Sequence, residues 1–192
     1  MTIWTKLAAL AEIETERLVL RPFTYADCQS FYKVVSNPDN LAFIFPVQTT
    51  EQEARDLMVA MFMKEPLGKW AITDKKSKVF LGAISFEKLD ERTRQAELSY
   101  FIQKEACGQG LATEAVKSLS FLALYQLGLT DISIIAHLEN RASQRVAAKA
   151  GFALLRQFKG SDRYSHKMRT YRHYHLTKTI LQEVEREIHD HH

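Results

Sequence analysis

The sequence predicts a single mixed α/β domain: a mostly antiparallel sheet of about seven strands with helices against it. Three observations lead there. Short runs rich in β-branched and aromatic residues alternate with segments whose apolar residues recur at helical spacing. Between Lys69 and Gln103 three strand-like runs are separated only by brief polar turns, 74–78 and 90–94, which favours antiparallel hairpins. Finally, the run Leu98–Ile102 leads through a glycine turn into a long apolar-periodic helix and then into Ile132–Leu138. A helical crossover of that kind makes the second strand parallel to the first.

Taken in order, Ile3, Leu7 and Leu10 share one helical face and predict a short amphipathic helix. Leu18–Phe23 reads as a first strand, ended by Pro22. Thr24 and Asp27 have capping-box spacing ahead of a helix with Phe31, Val34 and Val35 on its apolar face, and Asn37-Pro38-Asp39-Asn40 stops it. The apolar stretch Leu41–Gln48 has two readings, core segment or pocket lining, with core preferred. Thr50 and Glu53 form a second capping box before Leu57, Met58, Met61 and Phe62; Pro66 and Gly68 close that helix. The strands Lys69–Thr73, Val79–Leu89 and Ala96–Gln103 follow. After them come a helix to Leu127 capped by Gly128, the strand Ile132–Leu138, and a brief helix Asn140–Ala150 capped by Gly151. Strands Phe152–Phe158 and Tyr171–Leu176 flank a polar, basic loop, Lys159–Arg169, and Leu181, Val184 and Ile188 mark a last helix. No repeat or linker interrupts 1–192, so one domain is expected, with its core at about 15–178 and a C-terminal helix at 178–189.

Composition excludes several classes. With 192 residues, 46% hydrophobic and 26% charged, the chain has the balance of a globular domain large enough for a proper core. A net charge of +3, with acids and bases interspersed, argues against a dedicated nucleic-acid binder. Cys28 and Cys107 lie far apart without metal-ligand spacing, which fits a reduced, cytoplasmic protein with no metal. The N-terminal segment lacks the apolar core of a signal peptide or membrane span. His189-Asp190-His191-His192 reads as a frayed end or tag remnant in preference to a metal site.

The strand-to-helix turn carries the chemistry. Glycines at 108 and 110 allow close approach to a row of backbone N–H groups at the positive end of a helix dipole, and such a turn is an anion site. It is neither a Walker A loop, since no Lys-Ser/Thr follows Gly110, nor a dinucleotide fingerprint, since Thr113 stands where a third glycine is needed. The block Gly108-Gln109-Gly110-Leu111-Ala112-Thr113-Glu114-Ala115 closely resembles the acetyl-coenzyme A pyrophosphate loop of the GNAT N-acetyltransferases. Downstream, Asn140-Arg141-Ala142-Ser143 and Arg145-Val146-Ala147-Ala148-Lys149-Ala150-Gly151-Phe152 look like the second signature of that superfamily, in the branch containing the ribosomal-protein N-terminal acetyltransferases. The resemblance covers about Thr15 to Lys178. It implies a GNAT-like sheet splayed between its fourth and fifth strands, where the pantetheine arm of acetyl-CoA pairs with the backbone of Tyr100, Phe101 and Ile102. It also implies coenzyme contacts from Cys107 through Thr113, with Asn140 on the pantetheine and Ser143 near the sulfur. Lys149 and Arg145 have two readings, partners of the adenosine 3′-phosphate or solvated helix-face cations. One departure stands out: the family pattern often has Arg or Gln three residues before the first loop glycine, and here that residue is Glu105, a like charge near a pyrophosphate.

Amine acetylation needs a neutral amine, a polarised thioester and a proton for the departing thiolate. Cys107 is disfavoured as a nucleophile, because the family it resembles transfers directly from thioester to amine. If Leu98, Tyr100 and Ile102 face one side of their strand, Glu97 faces the other; the residue is either the general base or a surface carboxylate. Glu114 is the poorer candidate, since an acid in a first helical turn is explained by the dipole alone. Asn140 is also a natural N-cap. Ser143 occupies the place where, by resemblance, a thiolate-protonating group is expected.

The expected reaction moves an acetyl group from acetyl-CoA to a primary amine and leaves coenzyme A; the alternatives are a small-molecule amine acceptor, such as a polyamine or aminoglycoside, and a non-catalytic acyl-CoA-binding module. Glu97 is the one carboxylate base in sight and no histidine lies close to either motif, which suits an α-amine better than a lysine. An α-amine near ~7.8 is roughly 10–15% neutral at pH 7, a lysine near ~10.4 only about 0.04%. The expected acceptor is a protein or peptide N-terminus held between the Leu41–Gln48 and Lys159–Arg169 loops, and the expected assembly a monomer or homodimer away from any membrane.

Overall fold

Punctuation in the sequence becomes structure at the helix starts. The structure is a computed structural model that describes residues 1–38, 43 and 46–190, without the side chains of 188–190. Helix α1 (Ile3–Ala9) buries Ile3 and Leu7. Before α2 (Cys28–Val35), which is entered through a 3₁₀ turn at Tyr25–Asp27, the Asp27 carboxylate accepts the Thr24 N–H at 2.8 Å. The same carboxylate receives both Arg21 guanidinium nitrogens at 2.8 and 2.7 Å. The capping box of α3 (Glu51–Met58) is complete: Thr50 Oγ1 accepts the Glu53 N–H at 3.1 Å and Glu53 Oε2 accepts the Thr50 N–H at 3.0 Å. A π-turn at Val59–Met63 extends this helix.

The strands are β1 (Ile13–Glu14), β2 (Leu18–Arg21), β3 (Lys69–Asp74), β4 (Phe80–Asp90), β5 (Gln95–Ile102), β6 (Asp131–His137), β7 (Ala153–Ser161) and β8 (Met168–Leu176). They form one mostly antiparallel sheet in the order β1-β2-β3-β4-β5-β6-β8-β7. The eighth strand is the two-residue β1, which pairs with β2 and is too short to leave a periodicity in sequence. The β5·β6 ladder is parallel, and it spans only Gln95↔Asp131 to Glu97↔Ser133 although β5 runs on to Ile102 and β6 to His137.

Two compact units are distinguished, each with its own core. The first comprises Ile3–Ser85 and Tyr100–Ala115. Its core is aromatic: Phe23 stacks on Phe62 with centroids 4.4 Å apart, and Phe31 meets Phe101 edge-on at 6.4 Å. Phe43 and Val47 stay 44% and 37% exposed, so the core reading of the Leu41–Gln48 stretch fails at both positions; residues 41, 42, 44 and 45 of it lie outside the described residues. The second comprises Phe86–Ser99 and the chain from Val116 onward. It buries Leu98, Val116, Leu119, Leu124, Ile132, Ile134 and Leu176, contributed by β5, β6, β8 and α4 (Leu111–Leu122, continued by a π-turn at Ala123–Leu127). Gly128 and Gly151, both at positive φ, end α4 and α5 (Arg141–Lys149) as the spacing predicts. Helix α6 (Lys178–Asp190) reaches Gly151 with Leu181 and Val184.

The expected loop Lys159–Arg169 is shorter than predicted. Residues 159–161 and 168–170 pair as antiparallel strand, Lys159↔Thr170 to Ser161↔Met168, leaving a tight turn at 162–167. Solvated Lys, Arg and Ser side chains on this hairpin hide its strand character from a hydrophobicity pattern, while backbone pairing is indifferent to them.

Candidate active site

In the first unit, a 3₁₀ turn at Lys104–Ala106 follows β5 and delivers the chain to Cys107. Gly108 and Gly110 then take φ of +79° each, a left-handed conformation that side chains resist. The Gly110 carbonyl accepts the Glu114 N–H at 3.0 Å as α4 begins, so the first N–H groups of this helix have no carbonyl of their own helix to meet. Space is not the reason for glycine here. A Cβ on Gly108 would meet nothing within 4 Å, and one on Gly110 only Arg17 Nη2 at 3.5 Å, an ordinary contact. The backbone conformation alone demands it.

A clamp that sequence reasoning missed holds this turn. Glu114 accepts hydrogen bonds from Thr15 Oγ1 at 2.6 Å, from the Arg17 N–H at 2.8 Å and from Arg17 Nε at 2.7 Å. The other arm of the Arg17 guanidinium donates from Nη1 to the Gln109 carbonyl at 2.9 Å. Burial raises the Glu114 pKa, but these donors outweigh it and hold the carboxyl below its ordinary value. Glu114 is therefore more than a dipole-favoured acid: it ties the glycine turn to the β1–β2 connection. Arg17 also places a cation on the turn, whose first glycine follows the acid Glu105 by three residues. Cys107 donates its thiol weakly to the Gln103 carbonyl at 3.5 Å, and burial followed by the Glu105 charge pushes its pKa up. A thiol so placed stays protonated and is a poor nucleophile.

In the second unit, Ala96 and Leu98 turn into the core while Glu97 turns to the other face, 22% exposed, where Lys88 Nζ donates to its Oε2 at 2.7 Å. Lys88 sits at φ +47° in β4, a left-handed residue within a strand. Asn140 does cap α5, its Oδ1 accepting the Ser143 N–H at 3.0 Å, which fixes Ser143 half-buried in the first turn. Beneath them lies another residue missed in sequence. Buried Gln144 donates to the carbonyls of His137 and Leu138 at 3.1 and 2.7 Å and accepts from Arg172 Nη1 at 2.9 Å. It thereby pins the β6–α5 connection that carries Asn140. Arg145 and Lys149 are both exposed.

Strand register adds what spacing along the chain does not show. Glu97 lies opposite Ser133, Ser133 opposite His175, and Ile135 opposite His173, so these side chains share one face of the sheet. His175 Nδ1 is 3.4 Å from Asp131 Oδ2. Burial and the Arg156 guanidinium push the His173 pKa below its ordinary value, while Asp131 and Glu97 pull it up. Only pairing across strands sets Glu97 and the two histidines on one face.

The mostly antiparallel mixed sheet and the glycine turn at a helix start make this an α/β domain with an anion-binding turn. Residues 17–153 match the family model for the acetyltransferase (GNAT) domain, and the chain belongs to that family. It is an acetyl-CoA-dependent N-acetyltransferase of the GNAT type. The uncharacterized N-acetyltransferase YoaA of Bacillus subtilis (strain 168) is 28% identical over 154 residues, 76% of this chain and 86% of that protein. The putative ribosomal N-acetyltransferase YdaF of the same organism is 38% identical over 71 residues, 37% and 39% of the two chains. Two solved structures share the fold. One is RimL, a ribosomal L7/L12 alpha-N-protein acetyltransferase in complex with coenzyme A: TM-score 0.75, 18% identity, 86% of this chain and 97% of that one. The other is spermidine N-acetyltransferase from Vibrio cholerae in complex with CoA and spermine: TM-score 0.72, 15% identity, 86% and 98%. Among the described residues no helix is long and apolar enough to cross a membrane, and no group of three or more His, Cys, Asp or Glu could hold a metal ion.

Proposed function

We propose that this chain acetylates a singly charged α-amine, the N-terminus of a protein or peptide. The observation that carries this reading is the charge balance of the Glu97 face. Among the described residues, Glu97 on this face is already paired with Lys88, Asp131 lies 3.4 Å from His175 Nδ1, and Arg156 adds a cation opposite His173. A polyamine carries several positive charges and needs a surplus of acids; here Lys88 and Arg156 already set cations beside Glu97 and His173. An α-amine asks for one acceptor and brings its own low pKa.

In this reading the turn from Cys107 to Thr113 binds the pyrophosphate through backbone N–H groups. The backbone of Tyr100, Phe101 and Ile102 and the Asn140 side chain align the pantetheine. Lys149 and Arg145 are solvated helix-face cations, in keeping with their exposure. Acetyl-CoA supplies the activated acyl group, and Glu97 removes the proton that frees the amine lone pair. Ser143 stands at the start of α5, where its hydroxyl donates to the departing sulfur. Resemblance to YdaF and to the fold of RimL supports a protein acceptor, and the spermidine enzyme's fold is the reason to test the alternative.

The experiment is an acetyl-CoA turnover assay on matched acceptors. Peptides with a free N-terminus are expected to be acetylated, and the same peptides with a blocked N-terminus and one lysine are not. Turnover confined to lysine peptides, spermidine or spermine overturns the assignment.

A further inference from the structure

The β7–β8 hairpin of the second unit carries a charge that the rest of the chain does not share. From Ala153 to Leu176 six cations, Arg156, Lys159, Arg163, Lys167, Arg169 and Arg172, stand with one acid, Asp162. This net +5 leaves the remainder of the chain at −2, since the whole carries +3. Within its own turn, Asp162 Oδ1 accepts the N–H groups of Tyr164 and Ser165 at 3.1 and 2.6 Å, and its charge offsets part of that of Arg169. Arg172 is half-buried against Gln144; the other five cations are exposed.

Register sorts these residues by face. Phe158 lies opposite Tyr171 and Gly160 opposite Arg169, while His137 on β6 flanks Tyr171 from the other side. His175, His173, Tyr171 and Arg169 alternate along β8, and His175 pairs with Ser133, the partner of Glu97. This row therefore shares its face of the sheet with Glu97. Its side chains touch in sequence. The Arg156 guanidinium lies over the Phe158 ring at 5.2 Å, Phe158 stacks with Tyr171 at 5.6 Å, and His137 meets Tyr171 edge-on at 5.5 Å.

The row ends in a notch at Gly160. This glycine is not among those at positive φ, so its backbone suits any residue, and a glycine within a strand costs stability. Space does not demand it either: a Cβ there would meet Phe158 Cε2 at 3.4 Å and the Tyr171 ring at 3.7 Å, ordinary contacts. A strand glycine without a conformational or steric reason marks a place where another molecule approaches closely. Here the missing side chain leaves room beside two aromatic rings, opposite the exposed Arg169. A carboxylate fits that room, because a guanidinium fork matches it and ring edges carry partial positive charge.

We propose that the notch formed by Gly160, Arg169, Phe158 and Tyr171 is a specificity subsite for an acidic side chain of the acceptor, several residues beyond the N-terminus that is acetylated. This rests on the function proposed above. From His175, in the row of Glu97, to Arg169 is six residues along β8, about 20 Å, and from β5 to β7 is three strand spacings, about 14 Å. An extended acceptor crossing that diagonal at ~3.3 Å per residue, with side-chain reach counted, brings roughly its sixth to eighth residue to the notch. Lys159, Arg163 and Lys167 around the notch add attraction for an acidic segment, an attraction that salt screens.

Two measurements on the full-length chain test this, one of them independent of turnover. The first uses acetyl-CoA and free-N-terminus peptides, amidated at the C-terminus, in which a single glutamate is moved along an otherwise neutral sequence. Glutamate at about the sixth to eighth residue is expected to lower the peptide KM by ~10-fold, and glutamate beside the N-terminus to leave it unchanged. Gly160→Val fills the notch and Arg169→Gln removes its cation. Each should erase that gain while the KM values for acetyl-CoA and for the neutral peptide stay as they are. Arg169→Glu should shift the preference to lysine at the same positions. The second measurement is fluorescence anisotropy with the N-acetylated form of the favoured peptide, whose affinity should fall by ~10-fold in Gly160→Val and Arg169→Gln. A β-branched residue suits a strand, so the urea midpoint of Gly160→Val should hold or rise; if that variant unfolds, Arg169→Gln decides. Equal KM for glutamate, neutral and lysine peptides overturns the proposal, as does an Arg169-dependent preference for single-stranded RNA over the acidic peptide. If the wild-type chain acetylates no free N-terminus, the proposed function fails by itself, and the anisotropy decides on the subsite.

Discussion

Neutralising Glu114 tests how the coenzyme turn is held. In Glu114→Gln the side chain keeps its shape and loses its charge. Three hydrogen bonds converge on the carboxylate, at 2.6, 2.8 and 2.7 Å, and its side chain is only 15% exposed. Bonds to a charged group are worth about 1.5–3 kcal/mol each when buried. The Arg17 side chain is 45% exposed, so its share falls toward the ~0–1 kcal/mol of a surface pair. The amide of Gln still accepts at one position, so the expected loss is about 2 kcal/mol, read as a lower midpoint in urea unfolding at pH 7. The sign with pH follows from linkage. Because the folded-state pKa is depressed, the charge contributes fully above the unfolded value and is lost as pH falls through the folded one. Wild type and variant should therefore converge in acid and separate near neutrality. Freed from Glu114, Arg17 no longer anchors the Gln109 carbonyl, and calorimetry should show acetyl-CoA binding weakened by ~10-fold. Equal stability at pH 7 together with equal coenzyme affinity would refute the clamp.

Three further outcomes are expected. Gly110→Val forces a β-branched residue to φ +79° and should abolish measurable coenzyme binding at some cost in stability, checked by calorimetry beside a denaturation curve. Gln144→Leu strips the His137 and Leu138 carbonyls and Arg172 of their partner; a loss of ~1–3 kcal/mol and a raised KM for acetyl-CoA should appear together, since the β6–α5 connection bears Asn140. Ser143→Ala should lower kcat with the fold and coenzyme affinity intact, and an unchanged kcat across pH 6–9 would remove the serine from the proton path.

Both capping boxes, the glycine caps at 128 and 151 and the glycine turn at 108–110 were legible because each is a local rule: one residue type satisfies a backbone group a few positions away. The two-residue strand β1 was not, since it exists only through pairing with β2. Nor was the full length of the β7–β8 hairpin, whose outer residues are polar and reveal their pairing only through the partner backbone.

What the sequence determined by itself was the chemistry of short range: an anion-binding turn at a helix start, a carboxylate in the preceding strand, a capped helix after β6, and the family these motifs mark. Tertiary structure alone decided their company. Arg17 reaches Glu114 across the chain, Lys88 claims Glu97, Gln144 meets Arg172, and strand register sets His173 and His175 on the face of Glu97. The physical reason is range. Capping and turn preferences act within a few residues, whereas the partners of a charge or a histidine are chosen by which strands lie side by side and in which register, and one residue of slip would send every such side chain to the opposite face.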